Sequence, residues 1–146
     1  MDKKTIKQMA KMVDPVQEHC DETIIAAMTC NHAGSMSSLL LSKFAGGIGG
    51  IAHTSNLPNP VFIAVGDTNI YAFDYAPKGF KFKIKKEVAR WPKSGVQVEA
   101  ERGRAMTNFV IAADSGEHYS LEIPTMMGGK KLVDMFLEAL GVPQEG

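Results

Sequence analysis

From residue 80 the chain reads Phe-Lys-Phe-Lys-Ile-Lys, so that Phe80, Phe82 and Ile84 alternate with Lys81, Lys83 and Lys85. A period of two is the mark of a strand with one face buried and the other in water, and a helix cannot satisfy it. The same grammar extends over the second half of the chain. VFIAV (61–65) and NIYAFDY (69–75) flank Gly66-Asp67-Thr68, a hairpin connection with glycine at the turn. Residues 79–91, 96–102 and 105–114 supply further strands, the last two joined near Gly103. After Ser115-Gly116 comes 117–124, where His118, Ser120 and Glu122 alternate with Tyr119, Leu121 and Ile123. An earlier strand is predicted over 22–32 from its β-branched residues. Short turns between strands mean antiparallel pairing. Six or seven such strands in 146 residues cannot remain a flat uncovered sheet, and a barrel or two packed sheets is expected.

Helices are predicted at the two ends. Ile6, Met9, Met12 and Val13 share a face over residues 3–13, and Asp14-Pro15 ends that helix because proline disfavours the helical conformation of its predecessor. Met127, Leu132, Val133, Phe136, Leu137 and Leu140 recur at helical spacing, and a helix is predicted over 128–140, with Gly141 and Pro143 as stop signals. This closing helix has a wide apolar face with which to cover the strands. Residues 34–57 form an apolar, Gly-rich insertion that closes at Pro58-Asn59-Pro60. The length suits one domain, 1–146.

The hairpin VFIAVGDTNIYAFDY, the meander EVARW…VQVEAERG…NFVIAADSGEHYSLEIP and the helix KKLVDMFLEALG resemble the pleckstrin-homology-like superfold. More narrowly, residues 20–140 are similar to bacterial PH-like or GRAM-like proteins of uncharacterised function. The resemblance implies a mainly β (α+β) chain: a PH-like antiparallel β-barrel of six to seven strands capped by a C-terminal helix. The N-terminal helix and the Gly-rich insertion lie outside that barrel. One fold hosts many functions, so the resemblance speaks to architecture more than to activity.

Charge narrows the partners. Sixteen basic and sixteen acidic side chains leave no net charge, and a global electrostatic case for nucleic acid fails. Locally the balance is uneven. Between Lys78 and Arg104 nine basic residues face three acidic ones, whereas residues 114–146 carry six acids and two lysines. Lys81, Lys83, Lys85, Arg90, Arg102 and Arg104 are the candidate ligand-binding residues, suited to phosphate, an anionic headgroup or an acidic protein. The competing reading is a solvated strand whose lysines discourage edge-to-edge aggregation. Two cysteines are too few for a disulfide framework, the N-terminus lacks the apolar core of a secretory signal, and no apolar run of transmembrane length occurs. A cytoplasmic chain with reduced thiols is expected.

Specific chemistry is sparse. Gly47-Ile48-Gly49-Gly50-Ile51-Ala52 fits G-x-G-x-x-A, but prolines follow almost at once and antiparallel strands lie beyond, so the strand–helix context of a dinucleotide loop is missing. Leu40, Phe44, Ile48 and Ile51 form an apolar cluster suited to a partner or membrane contact, or else to the core. His19-Cys20 and Cys30-x-His32 lack paired zinc-ligand spacing, although Cys30 and His32 share a face if 22–32 is a strand. No metal and no cofactor is expected. No nucleophile, metalloprotease or phosphate-loop motif occurs, so no catalytic residue is assigned. The first reading is therefore a non-catalytic module that binds a protein, a peptide or an anionic membrane surface. The alternatives are a small ligand carrier or enzyme using a pocket between barrel and helix, and a self-assembly module that forms a homo-oligomer through a sheet edge or residues 35–55.

Overall fold

The computed structural model describes residues 3–32, 57–79, 81–114, 116–125 and 129–142. Helix α1 (Lys3–Gln17) leads into β1 (Ile24–His32), followed by β2 (Val61–Gly66), β3 (Asn69–Lys78) and β4 (Lys81–Pro92). A single 3₁₀ turn at Lys93–Gly95 then gives way to β5 (Val96–Arg102), β6 (Met106–Ala113), β7 (His118–Pro124) and helix α2 (Lys130–Ala139). The strands form one antiparallel sheet in the order β4-β3-β2-β1-β7-β6-β5. The chain is mainly β with two helices, as the alternation required.

β1 joins the two halves of the sheet. It pairs with β2 over most of its length, and only Asn31 and His32 reach β7. At the other junction, the 3₁₀ turn changes partners within three residues: Lys93 N–H donates to Thr68 O at 2.9 Å, and Gly95 O accepts from Asp114 N–H at 2.8 Å. Among the described residues, β4 and β5 each pair on one side only. The expected closed shell is thus an open sheet with two edges.

Two apolar layers hold the molecule together. The first combines Ala26, Met28 and Cys30 of β1, Val61, Ile63 and Val65 of β2, Phe109 and Ile111 of β6, and Tyr119, Leu121 and Ile123 of β7 with Leu132, Val133, Phe136 and Leu137 of α2. The second lies on the opposite face of β1–β4, where Ala27, Phe62, Ala64, Tyr71, Phe73 and Ile84 meet Val16 of α1. Every residue of β2 is buried, alternate side chains going to alternate layers. That explains why VFIAV is apolar without alternation: a strand covered on both faces has no wet side.

The second layer corrects the reading of the first helix. It does not stop at Asp14 but runs through Pro15 to Gln17. Proline removes one backbone bond, yet the last turn is anchored from outside: Val16 is fully buried, Gln17 Nε2 donates to Glu22 O at 2.8 Å, and Gln17 Oε1 accepts from Ile24 N–H at 2.8 Å. The buried stripe is Thr5, Met9 and Val16, with Met12 and Val13 beside it, whereas Ile6 is 50% exposed. Met9 and Val16 set the phase of the helix, and Thr5, one turn before Met9, shares it where Ile6 does not. Met9 Sδ also accepts from Ala27 N–H at 3.4 Å, so α1 lies against β1 where β7 has left it.

The first strand begins at Ile24 rather than at residue 22, and β4 runs from Lys81 to Pro92. Helix α2 ends as anticipated. Gly141 adopts φ 97°, Gly141 N–H donates to Glu138 O, and Val142 N–H donates to Leu137 O, which closes the end as a Schellman motif with Val142 returned to the core. The insertion lies outside the described residues except for Leu57, which is buried in the first layer. None of the described helices is long and apolar enough to cross a membrane.

If α1 is integral to the second layer, Val16→Ala lowers global stability by about 1.5–3 kcal/mol. Phe136→Ala, which empties the centre of the first layer, costs about 3–5 kcal/mol. Urea titrations should show both as lower midpoints of one transition; a Val16→Ala midpoint equal to wild type would make α1 a detachable appendage.

Candidate anion-binding face

The β3–β4 hairpin outruns its neighbour. β2 starts at Val61 and its register with β3 ends at Phe62 opposite Phe73, whereas β3 stays paired with β4 out to Lys78 opposite Lys81. On the α1 side of this extension, Tyr75 and Phe82 meet Phe62 edge to face, with centroids 5.4 and 5.5 Å away. The other face is charged. Asp74, Ala76 and Lys78 alternate along β3, and opposite them on β4 stand Lys86, Lys83 and Lys81 respectively. Side chains directly opposite in an antiparallel pair are neighbours, so Lys78, Lys81 and Lys83 crowd around the small Ala76. Like charges placed opposite one another are destabilising, by up to about 1 kcal/mol per pair. Asp74 faces Lys86, but no ion pair among the described residues engages Lys78, Lys81 or Lys83.

Register also sorts the basic residues that were singled out. Strict alternation placed Lys85 beside Lys81 and Lys83. The irregularity between Asp74 and Tyr75 instead leaves Lys85 as the unpaired residue, while Lys86 takes the position on the face. Lys78 and Lys86 are thus members that sequence reasoning missed. The signal for Lys78 was its place just before Gly79, a two-residue turn away from Lys81; nothing local announced the bulge.

The arginines do not join this face. Arg90 belongs to the other end of β4, where Nε and Nη2 grip the Glu87 carboxylate at 3.0 and 2.8 Å and the guanidinium lies 4.8 Å from the Tyr71 ring centre. Arg102, with a side chain only 12% exposed, donates from Nε to Asp134 Oδ1 at 2.9 Å and ties β5 to α2. Arg104 is exposed in the β5–β6 connection. The six basic residues therefore divide into a lysine group on β4, two pinned arginines and one arginine at a distant turn. Leu40, Phe44, Ile48 and Ile51 lie outside the described residues.

His19, Cys20 and Cys30 serve packing. His19 stacks edgewise on Phe73 at 6.1 Å, and burial pushes the neighbouring Cys20 thiol up to about 11. Cys30 is buried in the first layer, which pushes its thiol up as well. His32 holds the chain before β2, with Nε2 3.0 Å from Pro58 O and its N–H donating to Asn59 Oδ1. Among the described residues no three of His, Cys, Asp and Glu gather as a metal site would require.

One acid has an unusual environment. Glu22, between α1 and β1, reaches over the β2–β3 turn, where its carboxylate accepts from Thr68 N–H at 2.7 Å, Thr68 Oγ1 at 3.0 Å, Asn69 N–H at 3.2 Å, Asn69 Nδ2 at 3.1 Å and the Tyr71 hydroxyl. Gly66 makes room for it: a Cβ there would stand 2.5 Å from the Glu22 carboxyl carbon. Lys93 secures the other side of the turn by donating to Gly66 O at 3.2 Å. Desolvation pushes the Glu22 carboxyl up, but the bonds from Tyr71, Thr68 and Asn69 outweigh it and hold the group down, from 4.5 to about 2. This clasp positions the hairpin from which the lysine-bearing β3 departs.

A carboxylate favoured in the folded state stabilises it fully above its ordinary value of 4.5, and that contribution is lost as pH falls toward about 2. Glu22→Gln should therefore cost about 1 kcal/mol at neutral pH, screened by solvent at this partly exposed site. Gly66→Ala should act in the same direction by displacing the carboxylate. Chemical denaturation from pH 7 to pH 2 checks both: the gap between wild type and Glu22→Gln should close below pH 4.5, and a gap that stays constant to pH 2 contradicts the assignment.

Comparison with known proteins offers no shortcut to a function: the chain matches no family model, no curated protein and no solved structure.

Proposed function

We propose that this chain is a non-catalytic binding module of pleckstrin-homology-like architecture whose β3–β4 face takes a ligand carrying several negative charges. The seven-stranded antiparallel sheet, a β1–β4 meander joined through β1 and β7 to a β5–β7 meander, and the helix closing its core support the architecture. The observation that carries the binding role is the register of Lys78, Lys81, Lys83 and Lys86 on one face of a hairpin that extends past its neighbouring strand. Without a ligand those ammonium groups repel one another. Phosphate groups or clustered carboxylates relieve the repulsion, and their attraction for the face depends on salt.

The competing account is that these lysines guard exposed edges, since β4 and the part of β3 beyond β2 are each unpaired on one side; a multivalent anion that binds this face separates the two. The two pinned arginines and the clasp at Glu22 act as scaffold: they hold the sheet that displays the lysines.

Titration calorimetry with tripolyphosphate tests this reading. Wild type should bind, and affinity should fall by about tenfold or more on raising salt from about 50 to about 300 mM. Lys81→Glu/Lys83→Glu should abolish binding with a urea midpoint no lower than that of wild type, because a glutamate opposite Lys78 relieves the repulsion, while Arg104→Glu should leave affinity within about twofold. No binding by wild type, or equal binding by the lysine double variant, refutes the role of this face.

A further inference from the structure

The two outer strands of the sheet differ in charge. β4 carries Lys81, Lys83, Lys85, Lys86 and Arg90 against Glu87, whereas β5 carries Glu99 and Glu101 against Arg102, whose side chain is held by Asp134. Among the described residues each strand has a ladder on one side only, β4 to β3 and β5 to β6. An open edge is a template for another strand, and charge along it decides what can pair there. Lysine against lysine keeps β4 of one copy from pairing with β4 of another. The same lysines attract an edge that bears acids.

The two edges match on both faces. Along β4, before the bulge at Lys85, Lys81 and Lys83 point to one face, while Phe82 and Ile84 point to the other and join the layer beneath α1. Along β5 the register with β6 runs without a break from Val96 to Arg102. Val96, Val98 and Ala100 therefore point together into the layer beneath α2, and Glu99 points away from it. Side chains of period two fall into step when strands pair. A register that sets Glu99 beside the lysines thus sets Val98 and Ala100 beside Phe82 and Ile84. Val96, Val98 and Phe82 are only partly buried within one chain, so apolar area at both edges is left to be covered. A slip of one residue would put the glutamate against the apolar face and is disfavoured.

We propose that the β5 edge of one copy docks on the β4 edge of a second copy and extends its sheet over Lys81–Ile84, with Glu99 directly opposite one of Lys81 and Lys83 and diagonal to the other. This rests on the anion-binding role of the β3–β4 face and names the protein's own β5 as the partner that brings negative charge to it. The contact is heterologous. Each copy offers one β4 edge and one β5 edge, so copies add in a row unless the rotation between them closes a ring. The bulge at Lys85 ends the regular part of the β4 edge, which keeps the shared ladder short and the association weak.

Sedimentation velocity of the full-length chain at about 50 and about 300 mM salt tests it, with tripolyphosphate titration of the same proteins alongside. At low salt the average mass of wild type should rise with concentration up to about 0.5 mM, and high salt should suppress the rise. Glu99→Lys should weaken self-association about tenfold or more, with tripolyphosphate affinity within about twofold of wild type or higher. Glu99→Gln, which keeps the shape of the side chain, should give a smaller loss with an unchanged urea midpoint. Lys81→Glu/Lys83→Glu should abolish both kinds of binding. Lys81→Glu/Lys83→Glu/Glu99→Lys exchanges the signs of the two edges, and it should regain self-association without regaining tripolyphosphate binding. Wild type that stays monomeric yet binds tripolyphosphate overturns the edge contact and leaves the lysine face standing. So does Glu99→Lys that assembles like wild type, or a triple variant that does not assemble. Wild type that neither assembles nor binds tripolyphosphate overturns both this contact and the reading beneath it.

Discussion

The structure depends on covering β2 from both sides. Its six residues carry no polar side chain, and its place between β1 and β3 leaves two apolar faces that must each find a layer. The sheet's own curvature supplies one layer by bringing β6, β7 and α2 onto Val61, Ile63 and Val65. The other must come from outside the sheet, and α1 supplies it through Val16, Met12 and Val13. The N-terminal helix is therefore a wall of the core, which is why it continues through a proline that would end a free helix. Tertiary burial of Val16 and the Gln17 bonds outweigh the missing backbone hydrogen bond.

Once both faces of the inner strands are used, charge is displaced to the margins. The lysines appear on the edge strand β4 and on the part of β3 beyond β2, where no layer covers them. The acids that remain near the core are tied: Asp134 to Arg102, Glu87 to Arg90, and Glu22 to the turn donors. This sorting separates two kinds of basic residue that composition treats alike. Arg90 is held within its own strand by Glu87 and Arg102 joins β5 to α2 through Asp134, whereas Lys81 faces a second lysine.

Much of the fold was legible because period-two patterning is local and strong. Phe82 and Ile84 against Lys81 and Lys83 placed β4, the turn at Gly66 placed the β2–β3 hairpin, and Gly141 placed the end of α2. The candidate site was legible in part. Lys81 and Lys83 follow from alternation, but a bulge adds one residue and reverses the parity of everything after it, so Lys85 was credited with the position that Lys86 holds. Ile6 was misplaced for a related reason: several apolar residues in α1 permit more than one buried stripe, and only the partner surface selects a phase.

By itself, the sequence determined which segments are strands, that their connections make them antiparallel, and that the closing helix has one apolar face, because backbone period and turn chemistry act over a few residues. Tertiary structure decided the rest. It set the bulged registers, the doubled covering of β2, the extension of α1 through Pro15, the pinning of Arg90 and Arg102, and which lysines share a face. Apart from the Arg90–Glu87 pair, three residues apart on β4, these depend on contacts such as Glu22 with Thr68 or Arg102 with Asp134, and short-range patterning carries no record of such partners.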